Sequence, residues 1–231
     1  MKIALCLSGL IRNFHGNYFS NIYENLDIFC HTWDYCDVSQ LKLPNIKEIV
    51  VENDFNAFNS TTVNIKHWPH RCKSPRENVY KMYYGMKQCI EMVENYEKQN
   101  NFKYDLIIRS RYDIKSKLNK KLLNNIKNNL NKNDIIFPLK GFWVGKTIET
   151  KLYTFENPII ENKIIRVNDS FFIGNESCRL LSKTYNHFEL LKNGYKAILH
   201  NENLIAHMCI HYNFNVVLKN FECNLCRDGR L

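Results

Sequence analysis

The sequence has no apolar run approaching the roughly 20 residues that a membrane-spanning helix needs. Met1 to Leu10 holds a short apolar stretch, but Arg12 and Asn13 follow without a small-residue cleavage site, so it reads as a first strand and not as a signal peptide. The expected compartment is therefore the cytoplasm of the producing or host cell. Neither G-x-G-x-x-G nor G-x-x-x-x-G-K-[ST] occurs, which argues against a dinucleotide fold of the usual type and against a P-loop. No recognisable RNA- or DNA-binding motif is present. An even cysteine framework is missing too: nine cysteines, several at apolar positions, suit free buried thiols in a reducing compartment.

What is present is a soluble globular composition, 45% hydrophobic and 24% charged, in 231 residues, a length that fits one large α/β domain. The net charge of +9 favours anionic partners, be they nucleotides, acidic glycans, anionic lipid or nucleic acid. Heavy use of Lys, Asn and Ile is also what an AT-rich genome produces, so the charge is weak evidence for nucleic-acid binding.

The chain is organised around Tyr104 to Ile114, Y-D-L-I-I-R-S-R-Y-D-I. Leu106, Ile107 and Ile108 read as a strand buried on both faces, in the centre of a parallel sheet. If the extended conformation continues, Arg109, Arg111 and Asp113 point to one side. Unpaired buried ions cost several kcal/mol each, so the cluster is expected at the C-terminal mouth of the sheet, where open α/β sheets place ligands. The competing reading is a structural ion pair between Asp113 and Arg111.

Around that centre, Lys2–Leu7, Asp27–His31 and Ile46–Val51 read as strands. Ser8-Gly9 opens a small-residue loop carrying Arg12, a setting in which backbone N–H groups and a guanidinium meet phosphate oxygens. His31 ends its strand as a ligand contact or a satisfied structural residue. Asn53 to Arg71 reads as a long surface loop containing Trp68. Ser74-Pro75-Arg76-Glu77 is a capping box that starts a helix running to about Gln99, with Val79, Met82, Tyr83, Met86, Ile90 and Val93 on its buried face.

Asn119–Leu130 is an amphipathic helix with a lysine and asparagine outer face, and Asp134–Pro138 is a strand. Gly141-Phe142-Trp143 is a loop whose aromatics suit stacking on sugar or base rings. Thr147–Lys163 reads as an excursion near an acceptor. Ile164–Gly174 is an apolar strand interrupted by Asn168-Asp169-Ser170, where a carboxylate requires a partner or a function. Helices over Glu176–Asn193 and Asn201–Tyr212 and a strand over Asn215–Phe221 complete the chain. Glu202 stands near the start of the second of those helices, where a negative charge is also favourable for the helix itself. His207, His211, Cys223 and Cys226 are a further, unusual ordering of zinc-ligand types.

The blocks K-I-A-L-C-L-S-G-L-I-R-N-F, D-I-F-C-H-T-W-D, Y-D-L-I-I-R-S-R-Y-D-I, N-D-S-F-F-I-G-N and H-N-E-N-L, in this order, resemble the small glycosyltransferases of GT-A type encoded by large DNA viruses and by bacterial surface-polysaccharide clusters. The resemblance covers most of the chain. It implies a single GT-A-like domain over residues 1–231, an α/β/α sandwich with a mostly parallel central sheet, with a donor half to about residue 115 and an acceptor half beyond it. It also implies a nucleotide-sugar donor, a glycan or glycoprotein acceptor, and no nucleic-acid partner.

Ser8, Gly9, Arg12, Arg109, Arg111 and Asp113 would border the donor. Asp113 would stand where such enzymes carry the last acid of a metal-binding D-x-D motif, holding Mn²⁺ or Mg²⁺. The first acid of that motif is here Arg111, so arginines would neutralise the leaving diphosphate directly. Asp169 is the expected catalytic base, with Glu202 as the alternative carboxylate. The rival class is a non-catalytic module binding polyanions, nucleic acid or glycans, motivated by the charge and by the lysine-rich stretch from Lys115 to Lys132.

Overall fold

The computed structural model describes residues 1–11, 14, 22, 24, 26–54, 76–141, 169–187 and 201–225. Eight strands form one sheet: β1 (Ile3–Ser8), β2 (Leu26–Trp33), β3 (Ile46–Glu52), β4 (Leu106–Ser110), β5 (Ile114–Ser116), β6 (Asp134–Gly141), β7 (Phe171–Gly174) and β8 (Asn215–Leu225). Their spatial order is β3-β2-β1-β4-β7-β6-β8-β5. The sheet is mixed and mostly parallel, since β7 runs against β4 and β6, β5 runs against β8, and the other strands share one direction. Helices among the described residues are α1 (Arg76–Gln99), α2 (Lys120–Asn129), α3 (Glu176–Ser182) and α4 (Asn201–His211).

Alternation along the strands builds two apolar layers. Ala4, Cys6, Phe29, Ile107 and Phe172 face α1, meeting Val79, Tyr83, Met86, Ile90 and Val93, and the same layer takes in Leu181 of α3 and Leu204 and Met208 of α4. Ile3, Leu5, Leu7, Ile28, Leu106 and Ile108 face the other way, where Leu123 and Ile126 of α2 cover them. The expected α1 stripe is thus core, with Met82 only half-buried against it. Asn119 starts α2 by accepting the Leu122 N–H at 2.9 Å through Oδ1. No helix among the described residues is long and apolar enough to cross a membrane.

Several boundaries differ from the sequence reading. The strand expected over Ile164–Gly174 is β7 from Phe171 onward, antiparallel and preceded by a turn at Asp169-Ser170. The helix expected from Glu176 continues past Ser182 as a 3₁₀ turn, Lys183–His187, where the Thr184 hydroxyl donates to the Leu181 carbonyl at 2.6 Å. Strand β5 was not expected, being three residues long between a turn and a helix cap. The capping-box residues Ser74 and Pro75, and Trp68, Phe142, Trp143, Arg166 and Asn168, lie outside the described residues.

Candidate functional site

In an open α/β sheet, ligands bind outside the carboxyl ends of the strands, at the point where the strand order reverses. Here β2 and β3 follow β1 to one side and β4 lies on the other, so the reversal falls between β1 and β4. At and just past those two ends stand Ser8-Gly9 and Arg111 to Asp113. Because β7 is antiparallel to β4 with Ser110↔Phe171 in register, the Asp169-Ser170 turn reaches the same edge. Three segments distant in sequence therefore meet at one place.

Gly9 turns the chain at φ +114°, a region costly for any residue with a Cβ. Its N–H donates to the His31 carbonyl at 3.3 Å and its carbonyl accepts the Thr32 hydroxyl at 2.9 Å, which ties the loop to β2. Among the described residues, a Cβ at Gly9 would meet nothing within 4 Å, so the backbone there is open on that side.

At the end of β4 the extended run does not continue to Asp113. The strand stops at Ser110, and the Ile114 N–H closes a turn on the Arg111 carbonyl at 3.4 Å. Tyr112 anchors this turn from inside, donating its hydroxyl to the His31 carbonyl at 3.1 Å. Arg111 and Asp113 meet across the turn, Nη2 to Oδ2 at 2.5 Å, so the ion-pair reading of this couple is what the structure contains. Arg111 remains 26% exposed. Asp113 is buried, and its Oδ1 accepts no hydrogen bond from the described residues.

Arg109 differs from expectation more sharply, since it is 1% exposed rather than at the mouth of the sheet. Its Nη1 donates to the Asp169 carbonyl at 2.8 Å, and Nε and Nη2 have no partner among the described residues. Burial pushes its pKa down to about 10, with the Asp169 charge opposing the shift and Arg111 adding to it. The Asp169 carboxylate accepts the Ser170 hydroxyl at 2.9 Å through Oδ1. Glu202 is the second residue of α4, its side chain lying outside the described residues, as does Arg12 altogether.

The sequence offered His31 as a ligand contact or a structural residue but not its neighbours Glu52 and Tyr84. His31, 0% exposed, is in register with Ser8 and has Nε2 3.5 Å from Glu52 Oε2. Its ring stands edge-on to Trp33 and Tyr84, and α1 approaches so closely that a Cβ at Gly85 would lie 3.0 Å from His31 Nδ1. Burial lowers the His31 pKa, against the pull of Glu52. The structural alternative for His31 therefore fits its surroundings better than direct ligand contact.

The described residues do not fit a divalent-cation site. They contain no group of three or more His, Cys, Asp or Glu side chains placed to hold a metal ion. Asp113 is a lone carboxylate whose Oδ2 already meets a guanidinium, and that fixed cation would repel a metal at the same oxygen. The zinc grouping fails on distance. His211 precedes β8 whereas Cys223 sits near its far end, roughly 26 Å from the strand's first residue, Asn215, at the usual strand rise. Cys223 is buried with its thiol on Ser116 Oγ, and Cys226 lies outside the described residues. No protein-family model matches the chain, and no curated protein is significantly similar to it.

Proposed function

We propose that the chain is a GT-A-type glycosyltransferase that moves a sugar from a nucleotide-diphosphate donor to a hydroxyl of a glycan or glycoprotein, working in the cytoplasm. The observation that carries this reading is the convergence of the Ser8-Gly9 loop, the Arg111–Asp113 couple and the Asp169 turn at the strand-order reversal. The donor diphosphate lies against the open Gly9 backbone and the exposed part of Arg111. A guanidinium presents a planar fork to phosphate oxygens, and Asp113 fixes its orientation. Arg12, in the same loop as Gly9, adds a second cation in this reading.

Asp169 takes the proton of the acceptor hydroxyl as that oxygen bonds to the anomeric carbon. The bond from that carbon to the diphosphate oxygen breaks, and the diphosphate leaves with the electron pair, its charge met by Arg111. Inversion follows from attack opposite the leaving group. General-base help of this kind is typically worth about 10² to 10⁴ in rate. Glu202 takes the base role if Asp169 does not.

The test is turnover of a panel of sugar nucleotides by the wild type and by Asp169→Asn, with donor affinity measured alongside. Loss of turnover at unchanged affinity supports the assignment. Wild-type turnover in the variant moves the base to Glu202, and a wild type that uses no donor in the panel removes the enzyme reading.

One observation favours the rival class. Lys115, Lys117, Lys120, Lys121, Lys127 and Lys132 are all exposed, and no acidic residue lies between Ile114 and Asn133. Submicromolar binding of an oligonucleotide at physiological salt, with no binding of sugar nucleotides, would favour a polyanion-binding module.

A further inference from the structure

Arg109 presents a physical problem that donor binding does not solve. A buried cation without a paired charge costs several kcal/mol, and among the described residues no carboxylate lies within ion-pair distance of it. Two of its three nitrogens are enclosed without acceptors among the described residues. An apolar side chain of similar length would be cheaper here. What Arg109 does make is a single bond, Nη1 to the Asp169 carbonyl at 2.8 Å.

That bond falls where the sheet itself holds the chain least. The β4–β7 ladder comprises four pairs, from Ile107↔Gly174 to Ser110↔Phe171, and ends just before Ser170. On its other edge β7 pairs with β6 at Ile136↔Ile173. Asp169 lies beyond both ladders, and its main chain is tied back to β4 by the Arg109 guanidinium. The Asp169 carboxylate has its own tie, to Ser170 Oγ at 2.9 Å. One bond thus fixes the main chain of the turn and the other the carboxylate upon it.

We infer that Arg109 is a positioning residue: it holds the Asp169 turn at the end of β4, so that the carboxylate meets the acceptor hydroxyl, and it does not bind the donor. This rests on the reading of Asp169 as the base. A misplacement of about 1 Å can cost 10²-fold in rate, which is the scale on which loss of the tie should act. The inference assigns Arg109 to the acceptor side of the site, through the main chain of a residue some sixty positions later.

Arg109→Met removes the donor and the charge while keeping the stem. Because the unfilled nitrogens go with it, the variant should fold. Two measurements decide the matter. Amide exchange should quicken about tenfold at Ser170 and Phe171 and remain unchanged in β1 and β2, as expected when one charged hydrogen bond is lost locally. Turnover should fall about 10²-fold while the affinity for the sugar nucleotide stays within about twofold, with Arg109→Lys recovering part of the rate. Unchanged exchange at Ser170 and Phe171 overturns the tie, and a loss of donor affinity matching the loss of rate returns Arg109 to the donor site. If the wild type uses no sugar nucleotide, the glycosyltransferase reading fails, and the exchange result alone decides whether Arg109 holds the turn.

Discussion

Breaking the buried pair between Glu97 and Arg179 should be among the most damaging single changes to the fold. Glu97 lies in the last turn of α1 with 1% exposure. Arg179 of α3 donates Nη1 to Oε2 at 2.8 Å and Nη2 to Oε1 at 2.7 Å. The Tyr104 N–H adds a bond to Oε1 at 2.7 Å and Lys103 one to Oε2 at 3.0 Å. The pair joins the helix before β4 to the helix after β7, on the side of the sheet that α1 covers.

Glu97→Ala would leave both Arg179 Nη groups and the Tyr104 amide unsatisfied, with only the exposed Glu176 carboxylate still 3.4 Å from Arg179 Nε, and removing one member of a buried pair costs about 3 to 5 kcal/mol. In a chain of this size, about 2 to 4 °C of Tm is lost per kcal/mol, so the midpoint should fall by roughly 10 °C. Calorimetry measures it. Glu97→Leu combined with Arg179→Met should recover most of the loss, since a well-packed apolar replacement is often neutral. A fall under about 1 kcal/mol for Glu97→Ala, the range of exposed pairs, would refute the reasoning. The pair also sets an acid limit. Burial alone would raise the Glu97 pKa, but the bonds from Arg179, Tyr104 and Lys103 bring it below the usual carboxylate value of 4.5. Its stabilisation is therefore full above that value and disappears as pH falls through the lowered one.

His31 sets a second limit at milder pH. Its pKa is lowered from 6.5 by burial, so the unfolded chain takes up a proton that the folded one refuses, and stability should decline as pH drops below about 6.5. Urea midpoints between pH 7.5 and 5.5 should fall less steeply for His31→Gln, and equal slopes would exclude His31 as the source. At the donor site, Arg111→Ala and Asp113→Asn should abolish transfer, and Arg111→Ala should also lower Tm because it leaves the buried Asp113 carboxylate unpaired; full turnover in both would remove the basis of the site. Excess chelator should leave the transfer rate unchanged, as Arg111 supplies the positive charge, and a rate restored only by added Mn²⁺ or Mg²⁺ would show that a metal does that work.

How far the sequence could be read depended on the range of the interaction concerned. Leu106-Ile107-Ile108 and the α1 stripe are local patterns, and both became core. The turn at Arg111–Asp113 was read as extended because its anchor, the Tyr112 hydroxyl on the His31 carbonyl, spans 81 positions. The Glu97–Arg179 pair spans 82 and has no signature at either end. The burial of Arg109 was misjudged for another reason: the cost of a buried charge was applied correctly, but the carbonyl that accepts from it belongs to a turn whose position no local pattern fixes.

One signal was available and carries further. On the face toward α1 the strand series run Ala4, Cys6, Ser8, then Phe29, His31, Trp33, and Ile107, Arg109, so that a polar group enters each apolar series at or near the end of its strand. A core face has no use for a polar group, so a change of character on that face, at the carboxyl ends of three neighbouring strands, marks where packing gives way to another demand. Period-two alternation identifies those positions without any coordinates. Of the three, Arg109 ties down the Asp169 turn, while Ser8 Oγ and both His31 nitrogens are buried without hydrogen bonds. Ser8 stands beside the Gly9 loop, whereas His31, held between Trp33, Tyr84 and Glu52, completes the packing behind it.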